Sequence, residues 1–296
     1  MICLQVEALT KQFGVQTVVD TVSFELQTNS STALIGPNGA GKTTTLSMLT
    51  GLLTPTKGSI VMPGVKDIRS VIGFLPQYPQ FFSWMTALEF VEMSAKLSGV
   101  PKKDAKIKAK KMLEFVGLGD ALNKKTGTFS GGMRQRLGIA QAIVHSPKLV
   151  LLDEPVSALD PVGRYEMMTL LKELQETTTI LYSTHILNDA EHMTDQVLFL
   201  RDGKLVEQGS LAEVRARYDE PKIQIDFATA TDASSFASSN SNISVKGHSV
   251  FVTVTDNMPT MQHIIEQLHA QKFDVVKVER VTTSLEEIFM KVAHKG

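Results

Sequence analysis

The segment at residues 36–43 constrains the fold more than any other part of the chain. It reads Gly-Pro-Asn-Gly-Ala-Gly-Lys-Thr, which fits the spacing G-x-x-x-x-G-K-[ST], and it lies between a strand-like run at residues 32–35 and a helix pattern. Glycines there let backbone N–H groups surround an anion, and the helix directs its positive end at the same point. The sequence therefore predicts a phosphate-binding loop, with Lys42 at the terminal phosphates and the Thr43 hydroxyl on Mg²⁺.

Composition and charge set the class of protein. The chain has 296 residues, of which 43% are hydrophobic and 21% are charged, as in ordinary globular proteins. Thirty basic and 31 acidic residues give a formal net charge of −1. Because this balance lacks the strongly basic footprint of a nucleic-acid binder, we expect no nucleic-acid partner.

Cysteine usage and apolar runs bear on the compartment. Cys3 is the only cysteine, so no internal disulfide can form, and the N-terminus has no basic start followed by a long apolar stretch. The most apolar run, residues 149–152, is far shorter than the roughly 20 residues that a membrane span needs. We therefore expect a protein of the cytosol, a reducing compartment; if it serves a membrane, a partner supplies the spans.

Strand and helix patterns divide the chain into two parts. Strand-like runs at residues 149–152 and 180–183 are each followed by a helix pattern, as a parallel α/β sheet requires, and a helical stretch runs from Thr86 to Val116. The residue composition changes near Pro221, and residues 228–242 are rich in Ser, Thr, Ala and Asn. This change predicts one domain at residues 1–220 and another at 221–296. The first would include a helical subdomain at about 80–145. The second part alternates as strand, helix, two strands, helix and strand, a ferredoxin-like order, with one further helix.

Two adjacent acids follow the run at residues 149–152. Asp153 and Glu154 would lie at the carboxyl end of a buried parallel strand, where ligands of open α/β sheets bind. Asp153 suits the coordination shell of a metal, and Glu154 suits the activation of a water molecule. A polar loop or a helix cap is the alternative for such a pair, and the phosphate loop argues against it.

A third motif carries a family resemblance. Residues 129–136 read Phe-Ser-Gly-Gly-Met-Arg-Gln-Arg, which resembles the Leu-Ser-Gly-Gly-Gln signature of the ATP-binding cassette (ABC) family. Phe129 and Met133 depart from that pattern, whereas Ser130, Gly131 and Gly132 keep it. In physical terms, Ser130 is a helix N-cap, and the two glycines leave helix amides bare for a second anion site.

Further positions fall in the order of the same family. Gln77 looks like the family glutamine that touches Mg²⁺, and His185 looks like the switch histidine at the γ-phosphate. Asp160 ends the segment Ser-Ala-Leu-Asp at residues 157–160, which resembles the loop that crosses the dimer interface. Phe13 occupies the place of the aromatic residue that stacks on adenine.

The resemblance implies the whole site. The fold would be a P-loop NTPase core of ABC ATPase type with antiparallel β and helical subdomains, binding ATP and Mg²⁺. The catalytic residues would be Glu154, His185 and Lys42, and the metal would be held by Thr43, Gln77 and Asp153. The nucleotide would be bound by Phe13, Gly36, Pro37, Asn38, Gly39, Ala40, Gly41, Lys42, Thr43, Thr44, Gln77, Ser130, Gly131, Gly132 and Asp160.

The same resemblance implies the partners. They would be a second copy of the chain, in a head-to-tail dimer, and a transmembrane permease that the dimer drives by ATP hydrolysis. The chain would then be cytoplasmic and peripheral on the inner face of the cell membrane through the permease. Met133 and the segment at residues 284–289, Ser-Leu-Glu-Glu-Ile-Phe, are similar to the ABC-2 type export branch. A capped amphipathic helix explains residues 284–292 equally well.

Three other functions compete with this interpretation. A soluble ABC ATPase of ribosome remodelling or DNA repair would carry two cassettes or long coiled coils, whereas this chain has one phosphate loop and no sustained heptads. A small-molecule kinase or a GTPase would leave residues 130–132 and His185 unexplained. A non-catalytic regulator would not need Glu154.

Two surface features stay open in the sequence. The lysine-rich stretch at residues 102–111 is interrupted by acidic and apolar residues, which favours a solvated helix face over contact with anionic lipid. Phe81, Phe82 and Trp84 follow Gln77 closely, and they belong either to the core or to an interface with the permease.

Overall fold

The computed structural model describes residues 1–157, 159–238, 242–255 and 258–294. The chain forms two compact units, Met1–Leu211 and Ala212–Gly296. The domain boundary that the sequence places near Pro221 stays a prediction. Residue 158, which belongs to the segment at residues 157–160, lies outside the described residues.

Strands and helices alternate along most of the chain. The strands are β1 (Ile2–Phe13), β2 (Gln16–Gln27), β3 (Ser31–Ile35), β4 (Lys57–Val61), β5 (Ile72–Leu75), β6 (Leu149–Asp153), β7 (Thr179–Thr184), β8 (Gln196–Arg201), β9 (Lys204–Ser210), β10 (Lys222–Phe227), β11 (Ile243–Lys246), β12 (Ser249–Thr253) and β13 (Val275–Val281). The helices are α1 (Lys42–Leu49), α2 (Ala87–Leu97), α3 (Lys102–Phe115), α4 (Gly131–Ile143), α5 (Pro161–Gln175), α6 (Leu187–Met193), α7 (Leu211–Tyr218), α8 (Ala230–Ser238), α9 (Met261–Ala270) and α10 (Leu285–His294). Across the described residues, none of these helices is long and apolar enough to cross a membrane.

A six-stranded sheet organises the first unit. Its order is β5-β6-β7-β3-β8-β9, in which neighbouring strands from β5 to β8 run parallel and β9 runs antiparallel to β8. β3, β6 and β7 are buried along their whole length, and each contains a run of three or more apolar residues. The turn at Asp202 and Gly203, where both residues have positive φ, produces the β8–β9 hairpin. The α/β core is confirmed.

A smaller antiparallel sheet, in the order β2-β1-β4, packs on this core. Leu4 and Leu26 from this sheet share one buried cluster with Leu46 of α1 and with Leu149 and Leu181 of the parallel sheet. The antiparallel subdomain that the fold class predicts is therefore present, and it shares a core with the strand that precedes the phosphate loop.

Helices occupy the region between β5 and β6. Thr86 and Glu89 form a capping box at the start of α2, with the Thr86 N–H 2.8 Å from Glu89 Oε2 and the Glu89 N–H 3.2 Å from Thr86 Oγ1. The helical stretch at residues 86–116 consists of two helices because Gly99 turns the chain with a φ of 84° and Pro101 stands at the N-cap of α3.

The second unit has the predicted ferredoxin-like topology. Its elements follow the order β10-α8-β11-β12-α9-β13, with α10 after them, and its antiparallel sheet has the order β11-β12-β10-β13. Phe227, Phe236 and Phe273 meet edge to face or tilted in its core, with ring centroids 5.6 to 5.9 Å apart. These apolar side chains fill a core and provide no reactive groups.

Candidate active site

The loop at residues 36–43 joins β3 to α1 at the carboxyl edge of the parallel sheet. Gly39 and Gly41 have φ values of 82° and 101°, which residues with a side chain rarely adopt. A Cβ atom at Gly41 would lie 2.7 Å from the carbonyl oxygen of Val18, and one at Gly36 would collide with the carbonyl of Leu200. The loop shape therefore requires glycines at these positions.

Lys42 is held firmly at the start of α1. Its Nζ donates hydrogen bonds to the carbonyl oxygens of Gly36, at 2.8 Å, and Pro37, at 3.1 Å, and lies 3.7 Å from Glu154 Oε1. Burial lowers the pKa of Lys42 from its ordinary value, and attraction to Glu154 and Asp153 opposes that shift. A cation is thus positioned against the loop, next to carboxylates that favour its charged form.

Asp153 and Glu154 are linked through a buried serine. Asp153 accepts from Thr43 Oγ1 at 2.8 Å with Oδ2 and from Ser183 Oγ at 2.5 Å with Oδ1. The backbone N–H of Glu154 donates to the same Ser183 oxygen at 2.9 Å. Glu154 has a φ of 49°, in the left-handed region, so its direction differs from that of a continuing strand. Ser183 therefore fixes both acids at once.

His185 completes this cluster after the end of β7. Its Nδ1 lies 2.9 Å from Glu154 Oε1, the same oxygen that faces Lys42. The Glu154 side chain is buried, whereas that of His185 is 43% exposed. A buried carboxylate therefore lies between a lysine and a histidine that reaches solvent, which suits proton handling and charge stabilisation at one point.

These side chains border an open cleft of about 390 Å³. Of the predicted residues, most of the phosphate loop, Gln77 and Glu154 line it directly, while Asp153 and His185 are hydrogen-bonded to lining residues. The lining residues are Val18, Asn38, Gly39, Gly41, Lys42, Thr43, Thr44, Gln77 and Glu154. The parallel sheet thus brings the loop, the glutamine and the acid pair together.

The oxygen atoms of the cleft fit a magnesium ion. A hydroxyl from Thr43, an amide oxygen from Gln77 and a carboxylate from Asp153 are hard ligands of the kind that Mg²⁺ takes. Across the described ranges, no group of three or more His, Cys, Asp or Glu side chains is arranged to hold a metal. Mg²⁺ is usually held by one or two carboxylates together with substrate phosphates.

The signature residues border a different cleft. Ser130 caps α4 by accepting from the Met133 N–H at 3.3 Å, and Asp160 caps α5 by accepting from the Gly163 N–H at 3.1 Å. Both residues line a cleft of about 360 Å³ with Gly117, Leu118, Gly131, Gly132, Met133, Arg136, Leu159, Gly163 and Glu166. Among the described residues, none lines both clefts. Ser130 and the Lys42 loop therefore border different clefts of one chain.

Four predicted nucleotide ligands line neither of these two clefts. Gly36 and Pro37 act on Lys42 through their carbonyl groups, and Ala40 is buried, with its carbonyl accepting from the Gly203 N–H at 3.1 Å. Phe13 lies at the end of β1, 49% exposed, with Lys11 Nζ 5.1 Å from its ring centroid. Its stacking on adenine stays a prediction.

Two residues of the site are absent from the sequence predictions. Val18 of β2 lines the first cleft, and nothing distinguishes it in sequence from other strand valines. Ser183 gives a weak signal, because it is a polar residue near the end of a buried strand. Asp153 and Ser183 are paired across β6 and β7, and only the register of the sheet reveals that contact.

Comparison with known proteins decides the family. Residues 19–157 match the family model described as ABC transporter, and residues 209–293 match the model of the DrrA1-3-like ATP-binding protein C-terminal domain. Over 296 residues the chain is 41% identical to the ABC transporter ATP-binding protein YxlF of Bacillus subtilis (strain 168), covering 98% of this chain and 99% of that one. The chain belongs to the ABC transporter ATP-binding proteins. The predicted resemblance is thereby confirmed.

This ABC ATP-binding protein has further relatives. It is 33% identical over 300 residues to the bacitracin transport ATP-binding protein BcrA of Bacillus licheniformis, covering 97% of this chain and 96% of that one. It also resembles the dimeric ATP-binding cassette MJ0796, solved in a post-hydrolysis state with ADP and Pi, at a TM-score of 0.64 and 28% identity, covering 70% of this chain and 98% of that chain. The ABC protein is therefore an ATP-binding ATPase, and a small-molecule kinase or a GTPase is excluded.

Proposed function

We propose that this ABC ATPase drives a separate membrane permease through ATP-dependent closure of a head-to-tail dimer. The separation of the two clefts carries this proposal. Ser130, Gly131 and Gly132 present helix amides in one cleft, whereas Lys42 lies in the other, so a nucleotide on the loop would meet the signature only from a second copy. The dimeric assembly of MJ0796 with ADP and Pi supports this arrangement.

In this mechanism the protein mainly positions groups and stabilises charge, as phosphoryl transfer requires. The backbone of residues 36–41 and the side chain of Thr44 surround the phosphates, Lys42 binds the terminal phosphates, and His185 contacts the γ-phosphate. Glu154 accepts a proton from the attacking water, since its buried carboxylate is oriented by the hydrogen bond to His185. Phe13 supports adenine, and Asp160 of the second copy borders the shared site.

Thr43 and Gln77 would hold Mg²⁺ directly, and Asp153 would hold it through water. The ion neutralises charge on the phosphate oxygens when it is bound. Asp153 is ready for this role because Thr43 and Ser183 fix both of its oxygens.

An exposed aromatic pair supports permease docking. Trp84 is 68% exposed and Phe82 is 45% exposed, with their ring centroids 5.1 Å apart, while Phe81 packs edge to face on Phe90 at 5.1 Å. Neighbouring exposed aromatic rings are typical of interfaces. In this proposal the pair contacts the permease, which holds the ATPase at the cytoplasmic face of the membrane.

Export is the proposed direction of transport. The support is the C-terminal match to the DrrA1-3-like domain, together with a relative whose name states bacitracin transport. In this proposal the cargo site lies on the permease.

Mixing two inactive variants tests the shared site. A Lys42→Ala chain has a disabled phosphate loop and an intact signature segment. A Ser130→Arg chain has an intact phosphate loop and a blocked signature segment. Each alone should be inactive, whereas exchange of subunits should restore one whole site in every heterodimer, measured as phosphate release and ATP-dependent dimerisation. Mixing Lys42→Ala with a chain that carries both substitutions is the matched control, because no whole site can form. If tagged subunits exchange and neither readout returns, the shared-site mechanism is wrong.

A further inference from the structure

The exposed side of α3 is richer in lysine than the mixed sequence at residues 102–111 suggests. Ala105, Ala109 and Leu113 are fully buried, and their spacing of four residues places them on one stripe of the helix. Two of the apolar residues that interrupt the lysine run in sequence therefore lie on the packed side. The exposed side is left with a much denser set of lysines than the sequence suggests.

Lys103, Lys106, Ile107, Lys110 and Lys111 form what we call the lysine face, and all five are exposed. Ile107 is 71% exposed, and its helical neighbours three and four residues away include three members of this set. An isoleucine surrounded by lysine stems is thus presented to the outside with no packing role.

The acidic neighbours of the lysine face do little to neutralise it. Glu114 lies 3.7 Å from Lys110, and both side chains are more than half exposed, so this pair contributes little in water. Asp104 is the other carboxylate on α3, which carries six lysines in all. The face therefore keeps a clear positive charge.

We propose that the lysine face binds the surface of an anionic lipid bilayer, with Ile107 entering the boundary between headgroups and acyl chains. Each lysine close to such a surface strengthens binding by a factor of about five. Basic residues around an apolar one are the composition of interfacial helices, because the charges attract the headgroups and the apolar side chain leaves water.

The residue types favour lipid over other anionic partners. α3 has no arginine, the side chain that binds single carboxylate or phosphate groups in fixed bidentate geometry, whereas lysine acts as a mobile point charge that suits a diffuse anionic surface. The lysine face has no aromatic ring on which a nucleic-acid base could stack. This contact goes beyond the proposed function, because it needs neither nucleotide nor permease.

Vesicle co-sedimentation with the full chain tests the proposal. The protein should pellet with phosphatidylcholine vesicles that contain phosphatidylglycerol, should stay in solution with phosphatidylcholine alone, and should be released by salt. Replacing Lys103, Lys106, Lys110 and Lys111 with glutamine should weaken binding by about 100-fold or more. Ile107→Ser should weaken it by a few-fold and leave the salt dependence unchanged.

The matched control carries the same charge change elsewhere. Lysines 57, 66, 246 and 272 are exposed, and their replacement with glutamine should change vesicle binding by less than about threefold if the lysine face is the site. ATP hydrolysis should be normal in both sets, which shows that folding and the nucleotide site are intact. Equal loss in the control set, or no preference of the natural chain for anionic vesicles, would overturn the proposal. Binding to polyglutamate but not to anionic vesicles would overturn it in favour of an acidic protein partner.

Discussion

The cleft lined by the phosphate loop, which we call the loop cleft, and the cleft lined by Ser130, which we call the signature cleft, differ in how far one chain completes them. In the loop cleft, Lys42, Asp153 and Glu154 are buried and joined to one another or to shared partners. In the signature cleft, Ser130 and Gly131 are exposed at the start of α4. The charged groups of the loop cleft are thus organised inside one fold, while the groups that we propose for the second side of the nucleotide are presented outward.

Desolvation explains this difference. A buried charge without a partner costs several kcal/mol, so the lysine and the two acids must be paired as soon as the chain folds. The N–H groups at an exposed helix start are satisfied by water, and they can exchange water for phosphate later at little cost. We therefore expect lesions in the loop cleft to act within one chain and lesions in the signature cleft to act across two.

Lys42→Ala should have the largest effect. It removes the cation at the phosphates and leaves Glu154 and Asp153 with less opposite charge, so both ATP binding and hydrolysis should be lost. Nucleotide binding and phosphate release measure this, with Lys66→Ala as an exposed-lysine control. Near-normal turnover of ATP by the variant would show that the loop cleft is not the nucleotide site.

Glu154→Gln should separate binding from chemistry. The amide keeps the shape of the carboxylate but cannot take the proton of water, so hydrolysis should fall by about 10²-fold to 10⁴-fold while ATP still binds. The variant should accumulate as an ATP-bound dimer in size-exclusion chromatography. Full activity would mean that another group accepts the proton.

Ser130→Arg should lower hydrolysis by about 10²-fold, since it blocks donors aimed at the phosphate from the second copy. ATP binding by the isolated chain should be unchanged, because Ser130 does not line the loop cleft. Titration with a fluorescent ATP analogue at low protein concentration measures ATP binding by the isolated chain separately from hydrolysis by the dimer. A loss of binding in the monomer would show that the clefts are not independent.

Ser183→Ala should have the smallest effect, a loss of about 10-fold in kcat with little change in KM. The serine touches no nucleotide in our proposal and acts only by orienting Asp153 and Glu154. Ser183→Thr keeps the hydroxyl and should recover most of the rate, whereas a purely packing role would make the larger side chain at least as harmful as alanine.

The sequence predicts the parts of the site that local chemistry determines. The loop needs glycines for its backbone, and an acid pair after an apolar strand must lie at the carboxyl edge of the sheet, so both could be placed without coordinates. The contact of Ser183 with Asp153 depends on the register between β6 and β7, which no local pattern encodes. The assignment of roles to the site residues remains a prediction that the four variants test.

The exposed lysines of α3 are a feature that the sequence alone does not reveal. Its sequence mixes charged and apolar residues, and only the helix geometry separates Ala105, Ala109 and Leu113 from the exposed side. The position of Phe13 could not be predicted either, because its place in the order of the family motifs does not give the distance from its ring to the loop cleft. The second unit was predicted in element order because strand and helix periods differ clearly along its sequence.

The sheet order has a consequence for how the protein is made. β3, which leads into the phosphate loop, lies between β7 and β8, although the loop, the signature and the acid pair all precede residue 160. A nascent chain that has emerged as far as Glu154 therefore carries the three motifs without the strands that must flank β3. Such distant pairing is slow to form, and synthesis proceeds from the N-terminus. Competence to bind ATP should appear only after β8 has left the ribosome.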